Sequence, residues 1–313
     1  MGKVSVTLLV LSILALSPLS IVQKSIASEG IGGPTYLDVI YYDEEEDNLR
    51  FPSFVMAEPV MNEIYVIDGW GRVIIYNSDF FPLFTLTKKN GIENPQGLAV
   101  DAQGNLYVGR AATKDEKRNF ILVYNACIKW ERSIYLGGFE GAETFVPYRI
   151  VLDKQGNIYV AGVHYPGILI LNNEGKMLEI LSPEKDGKKV MIINVTLDKN
   201  GRLYLVSEEE GSIYVYDENR KFLFKFGEKG GSSGKLSRPR AIGVDSSGRM
   251  YVVDYMRHGV NVYDKKGTYI LEFGGMGVGG GWFQHPTDIT IDSNGRIFVS
   301  NTFNDRIEVF NPL

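Results

Sequence analysis

The chain has 313 residues, 44% of them hydrophobic, a formal charge of −5 and a single cysteine, Cys127. That length and apolar content are enough for a well-buried core. One cysteine excludes an intrachain disulfide framework and a cysteine-based zinc site, and the acidic balance argues against nucleic acid, whose phosphates reward clustered Lys and Arg.

The chain opens with a processing pattern. Lys3 precedes an apolar run from Val4 to Leu16, Pro18 breaks it, and Ser25-Ile-Ala27 supplies small residues around a cleavage point. This reads as a signal peptide over residues 1–27. The run of about 13 residues is shorter than the ~20 needed to span a bilayer, which weighs against an uncleaved anchor. The expectation is an exported protein, periplasmic or extracellular, with no membrane contact beyond this signal. Tyr36 to Ile40 then reads as a strand, and Asp43-Glu-Glu-Glu-Asp47 as a solvated connector without the 12-residue loop of an EF-type calcium site.

A repeat begins at Pro52. A Pro is followed six residues later by an acid, then three later by Gly, then by an aromatic. The Pro-to-acid step occurs at Pro52/Glu58, Pro95/Asp101, Pro147/Asp153, Ile192/Asp198, Pro239/Asp245 and Pro286/Asp292, with Ile192 replacing Pro in the fourth copy. Gly follows at 104, 156, 201, 248 and 295; in the first copy Met61 replaces it and Tyr65 comes one residue late. The aromatics Tyr65, Tyr107, Tyr159, Tyr204, Tyr251 and Phe298 are 42, 52, 45, 47 and 47 residues apart. Each copy holds period-2 apolar runs bounded by Gly-containing turns, and none shows a helical stripe. A repeat of ~40–50 residues with four strands is a propeller blade.

Third strands end at Tyr76, Tyr124, Leu171, Tyr216, Tyr263 and Phe310, and a fourth follows in the first five copies. The sixth copy stops at Leu313 without one. Tyr36 to Ile40 belongs to no copy, so it is expected to complete blade six and remove the exposed edge. The expected fold is an all-β six-bladed propeller of four-stranded antiparallel blades over residues 35–313, its last blade closed 3 + 1 by the N-terminal strand. Insertions lie at Arg110 to Asn119 and Ser182 to Met191. The Gly-rich connectors 227–234 and 274–282 lead into strands, so a phosphate loop, which needs a helix behind it, is not expected.

Two copies carry a family resemblance. Pro239-Arg-Ala-Ile-Gly-Val-Asp-Ser-Ser-Gly-Arg-Met-Tyr-Val-Val-Asp and Pro286-Thr-Asp-Ile-Thr-Ile-Asp-Ser-Asn-Gly-Arg-Ile-Phe-Val-Ser-Asn resemble the NHL repeat. The resemblance implies a six-bladed propeller. It implies no single function, because the family holds interaction modules, RNA binders, sensor domains and a few enzymes.

The residue after each repeat Pro and the residue after each second strand fall on one face, with the Asp-x-x-Gly turns on the other. The first set is Ser53, Gln96, Tyr148, Ile193, Arg240 and Thr287; the second is Asp68, Arg110, Gly162, Ser207, Asp254 and Asn301. From these rings and Arg149 beside them, the candidate ligand-binding rim is Asp68, Gln96, Arg110, Tyr148, Arg149, Arg240, Asp254, Thr287 and Asn301. Arg110, Arg149, Arg240 and Arg257 with Tyr148 make a small basic patch, but an exported acidic protein is a poor RNA binder.

Enzyme readings fit less well. Propellers of the amidating-lyase type hold zinc through His directly after the repeat Pro, where this chain has Gln96, Tyr148, Arg240 and Thr287. His164, His258 and His285 do not match one another in the repeat frame. Gluconolactonase-like propellers bind a divalent metal through Glu, Asn and Asp; Asp68, Asp254 and Asn301 imitate this but read more simply as loop caps. The only Gly-x-Ser-x-Gly run, Gly230 to Gly234, lies in a connector that leads into a strand rather than a helix, so it makes no nucleophile elbow. No catalytic residue, metal ligand or cofactor is assigned. The reading is a non-catalytic scaffold binding a protein, peptide or cell-surface polymer at the channel mouth, with a metal-dependent lactonase- or lyase-type enzyme as the alternative.

Overall fold

Six four-stranded antiparallel sheets form the ring, each running from an inner to an outer strand. The computed structural model describes residues 32–114 and 116–313, and Gly33–Leu313 make one unit. The expected signal peptide lies outside the described residues. Blade one consists of Phe54–Ala57, Ile64–Ile67, Val73–Tyr76 and Pro82–Leu86. Blade two has Pro95–Val100, Leu106–Arg110, Phe120–Tyr124 and Trp130–Tyr135; blade three has Pro147–Leu152, Ile158–Gly162, Ile168–Leu171 and Met177–Leu181. Blade four has Asn194–Leu197, Leu203–Ser207, Ser212–Tyr216 and Phe222–Phe226, and blade five Pro239–Val244, Met250–Asp254, Gly259–Tyr263 and Tyr269–Gly274.

The period of two explains the core. In a radial stack both faces of a strand meet a neighbouring sheet, so alternate residues go to alternate interfaces. Tyr65 and Ile67 pack toward blade two with Leu98, Val108 and Leu122, whereas Ile64 and Val66 pack toward blade six with Val309 and Phe298. Six such clusters follow, one at each blade–blade interface. Second and third strands are therefore continuously buried rather than half-exposed. Truncating a large side chain to Ala at such a site costs ~2–5 kcal/mol.

Blade six is built from both ends of the chain. Pro286–Ile291, Ile297–Asn301 and Arg306–Phe310 supply three strands, and Tyr36–Ile40 is the fourth, with Tyr36 opposite Phe310 and Ile40 opposite Ile307. Ile40 and Leu49 join the core between blades six and one.

Two expectations need correction. The run from Asp43 to Asp47 is not simply a solvated connector: Asp43 is buried, accepts from the Glu45 and Asp47 N–H groups, and pairs with Arg72 of blade one. It ties the closing segment to the ring. Ile192 does not begin the fourth inner strand. It pairs with Tyr165 in a small ribbon formed by the insertion, and the inner strand starts at Asn194. The Gly-rich connectors hold no helix; a Cβ on Gly274 would lie 2.3 Å from the Phe283 ring, so glycine is needed there for packing.

Candidate functional site

Register fixes the two ends of the blades. Pro95 pairs with Arg110, Pro147 with Gly162, Pro239 with Asp254 and Pro286 with Asn301, so the residues after Pro and after second strands share one end. We call it the loop face. The acid-x-x-Gly turns form the opposite, turn face. There each Asp accepts from the N–H groups two and four residues on, as Asp101 does from Gln103 and Asn105 at 2.9 and 2.8 Å. Glu58 does the same for Val60 and Met61 in a turn one residue longer, which explains the late Tyr65. A groove of about 760 Å³ runs along this face over blades one to three, lined in part by Glu58, Asp101, Arg132 and Asp153.

On the loop face the candidates separate. Asp68, Asp254 and Asn301 are all buried. Asp254 accepts from the N–H groups of Ser237, Arg238, Met256 and Arg257. Asp68 accepts from Trp70 and Arg72, and Asn301 accepts from Gln284 N–H and donates to the Trp282 carbonyl. They join the loop after the second strand to the connector entering the blade, which is the loop-cap role their position suggested. Thr287 is likewise buried against Thr302 and the Ser53 carbonyl. Gln96 donates to Asn94, and Arg110 reaches Thr113 and lies over Phe120.

Tyr148, Arg149 and Arg240 come together with residues that sequence reasoning missed. Arg149 of blade three donates to Asp288 of blade six at 2.7 Å. These blades stand opposite each other in the ring, so the ion pair crosses the channel. Asp288 also accepts from Val55 N–H of blade one, and the Arg149 guanidinium lies 4.7 Å from the Phe54 ring centroid. The crossing lies in the layer two residues after each repeat Pro: Phe54, Gly97, Arg149, Asn194, Ala241 and Asp288. Gly97 makes room, since a Cβ there would sit 2.2 Å from the Tyr148 carbonyl oxygen. In this buried layer Arg149 Nε, Asp288 Oδ1 and Asn194 Oδ1 have no hydrogen-bond partner. Burial pushes the Asp288 carboxyl above its usual range and outweighs the Arg149 charge.

Above the pair, Tyr148 meets Arg240, which pairs with Glu208; Arg238 shares that carboxylate. Burial raises the Tyr148 phenol, so it remains a neutral hydroxyl. Burial works to raise Glu208 as well, but the two guanidinium groups win and hold it below the ordinary carboxylate range.

A row of rings leaves this mouth across blades five, six and one. Arg238 and Arg240 lie over Tyr255 at 5.3 and 5.7 Å. Tyr255 meets His285 at 4.4 Å between centroids, His285 meets Phe303 at 5.2 Å, and Phe303 meets Phe51 at 5.7 Å. Arg50 lies over Phe51 at the far end. Phe51 is 44% and Phe303 49% exposed. Phe51, His258, His285 and Asp305 all have positive φ without being glycine. His and Asp are enriched in that region, but Phe avoids it, so Phe51 carries strain of ~1–3 kcal/mol, a feature that clusters at functional surfaces. Asp305 holds the strained segment by accepting from Phe51 N–H and pairing with Arg50. His258 accepts from His285 N–H through Nδ1, and burial, with His285 beside it, lowers its pKa. His164 lies in the loop before the blade-three ribbon. Among the described residues no group of three or more His, Cys, Asp or Glu is placed to hold a metal ion.

Residues 232–311, within the last two blades and the connector before them, match the DUF5128 family, described as a 6-bladed beta-propeller. No sequence among curated proteins matches the chain. Among solved structures, a structural genomics protein of unknown function from Bacteroides thetaiotaomicron VPI-5482 is similar, with a TM-score of 0.65 and 13% identity over 89% of this chain and 73% of that one. The gluconolactonase XC5397 from Xanthomonas campestris gives a TM-score of 0.63 with 15% identity over 90% of this chain and 98% of its own. Virginiamycin B lyase from Staphylococcus aureus gives 0.55 with 16% identity over 84% of each chain. At these identities the likeness is one of fold.

Proposed function

We propose that this propeller is an exported, non-catalytic binding module that takes a protein, peptide or surface polymer on its loop face. One observation carries the reading: the strained, half-exposed row of rings continuous with the Tyr148–Arg240–Glu208 mouth. Exposed aromatics and arginines are the residue types that anchor interfaces, and strained backbone persists where its surroundings hold it for a purpose. The turn face lacks this variation, because its carboxylates are occupied by their own turns. Arg149 and Asp288 close the throat, so a ligand engages the mouth and rim rather than threading the ring. Export rests on the N-terminal pattern.

A photo-crosslinking residue at Phe303, compared with one at Lys199 on the turn face, tests this in the native cell envelope. The reading requires a discrete adduct from position 303 and none from 199. Adducts from both or neither remove it. Export is checked by cell fractionation and by the N-terminal sequence of the mature chain. The fold shared with a gluconolactonase and a lyase supports the second reading, a metal-dependent enzyme. It requires stoichiometric metal in the purified protein and an activity lost on chelation.

A further inference from the structure

We infer that the ligand of the loop face is a peptide segment that presents a carboxylate to Tyr148 and Arg240, with an adjacent apolar side chain on the Tyr255–His285–Phe303–Phe51 row. This rests on the binding reading above and narrows it to one ligand chemistry. The charge balance at the mouth asks for an anion. Arg238 and Arg240 share one carboxylate, Glu208, so two guanidinium groups at the mouth face a single side-chain acceptor. Hydrogen-bonding capacity points the same way at the mouth, where Arg240 Nε has no acceptor within the protein. Tyr148 lies beside Arg240, and its phenol, kept neutral by burial, carries a proton it can donate. A carboxylate offers acceptor sites for several of these donors at once.

The ring geometry decides the rest of the ligand. Successive rings in the row are inclined at 31°, 67° and 70°. They form no flat platform on which successive sugar rings would lie. Faces and edges alternate, making a short apolar patch the size of one or two side chains, beside the cationic mouth rather than around it. A peptide supplies that pairing with an acidic group one or two residues from an aliphatic or aromatic one. The carboxylate has two sources in a peptide, an Asp or Glu side chain and a free C-terminus.

The test uses the full chain, immobilised and probed with two random hexapeptide libraries, one with free C-termini and one amidated. Selection of Asp or Glu within two positions of an apolar residue in both libraries indicates a side-chain carboxylate; selection from the free library alone indicates the terminus. A synthetic peptide of the selected sequence should bind Arg240→Ala and Phe303→Ala at least tenfold more weakly, and Lys199→Ala unchanged. Melting curves accompany each variant. Should Arg240→Ala not fold, Arg240→Lys keeps the charge without the planar fork and should give a smaller loss. Selection of basic or uncharged sequences overturns the inference. Binding of polygalacturonate, and not of peptides, at Phe303 and Arg240 also overturns it but leaves the binding reading standing. Peptide binding indifferent to both substitutions removes both.

Discussion

Blade five carries an aspartate at each end of its second strand, and the two do different work. On the turn face Asp245 accepts from Ser247 and Arg249 N–H, both within its own hairpin turn. On the loop face Asp254 accepts from Ser237 and Arg238 on one side and Met256 and Arg257 on the other, joining segments far apart in sequence. The local turn recurs nearly unchanged around the ring because it satisfies only itself. The brace depends on its connector, and connectors differ between blades. The turn face is therefore repetitive, and the loop face is where the six copies diverge and cross the channel.

The largest effect should come from the segment that both faces share. Deleting residues 1–43 removes the outer strand of blade six and Asp43 of the Arg72 pair, and the product should be insoluble or unfolded in a thermal melt. A soluble, cooperatively melting product would mean that closure does not hold the ring.

The channel crossing comes next. Arg149→Met leaves Asp288 buried without its cation, which costs ~3–5 kcal/mol at neutral pH by urea unfolding. The sign of the pH dependence follows. A carboxyl whose folded pKa lies above its unfolded value adds stability at low pH and loses it as pH rises through the folded value. Relative to the parent, the variant should regain melting temperature as pH falls from 7 toward 5. A second change, Asp288→Asn, should remove that dependence. A variant that melts like the parent at every pH would mean that the throat is open and hydrated.

The two aspartates then test the contrast directly. Asp254→Ala strands several buried N–H groups and should cost ~3 kcal/mol, whereas Asp245→Ala removes a local cap worth ~1 kcal/mol. Equal costs would break the distinction between brace and turn. The smallest stability effect belongs to Arg240→Lys, which keeps the charge beside Glu208; stability should change by ~1 kcal/mol or less, while capture of the envelope partner weakens.

Much of the turn face was legible in sequence because its signal is local. An acid, a Gly three residues on and an aromatic three beyond that specify a hairpin whose hydrogen bonds close within five residues. Tyr36–Ile40 was legible by arithmetic, as one strand too many at one end and one too few at the other. The candidate site was legible in part. Tyr148, Arg149 and Arg240 were singled out, but Glu208, Asp288, Phe51, Tyr255 and Phe303 were not, and His285 was weighed only as a possible zinc ligand. A signal for Asp288 was present: two residues after the repeat Pro, Arg149 and Asp288 carry opposite charges three copies apart, in a layer otherwise small, amide or aromatic. Asp68, Asp254 and Asn301 read more simply as caps than as metal ligands, and the connectors that fill them show which N–H groups they cap.

By itself, the sequence determined the blade, its number and its closure, because each is encoded in contacts between neighbours or in a count of strands. Only the tertiary structure decided that Arg149 meets Asp288 across 139 residues of chain and that rings from three blades line up beside Arg240. Those pairings follow from ring radius and connector conformation, which arise once all six blades are packed and which no local pattern encodes.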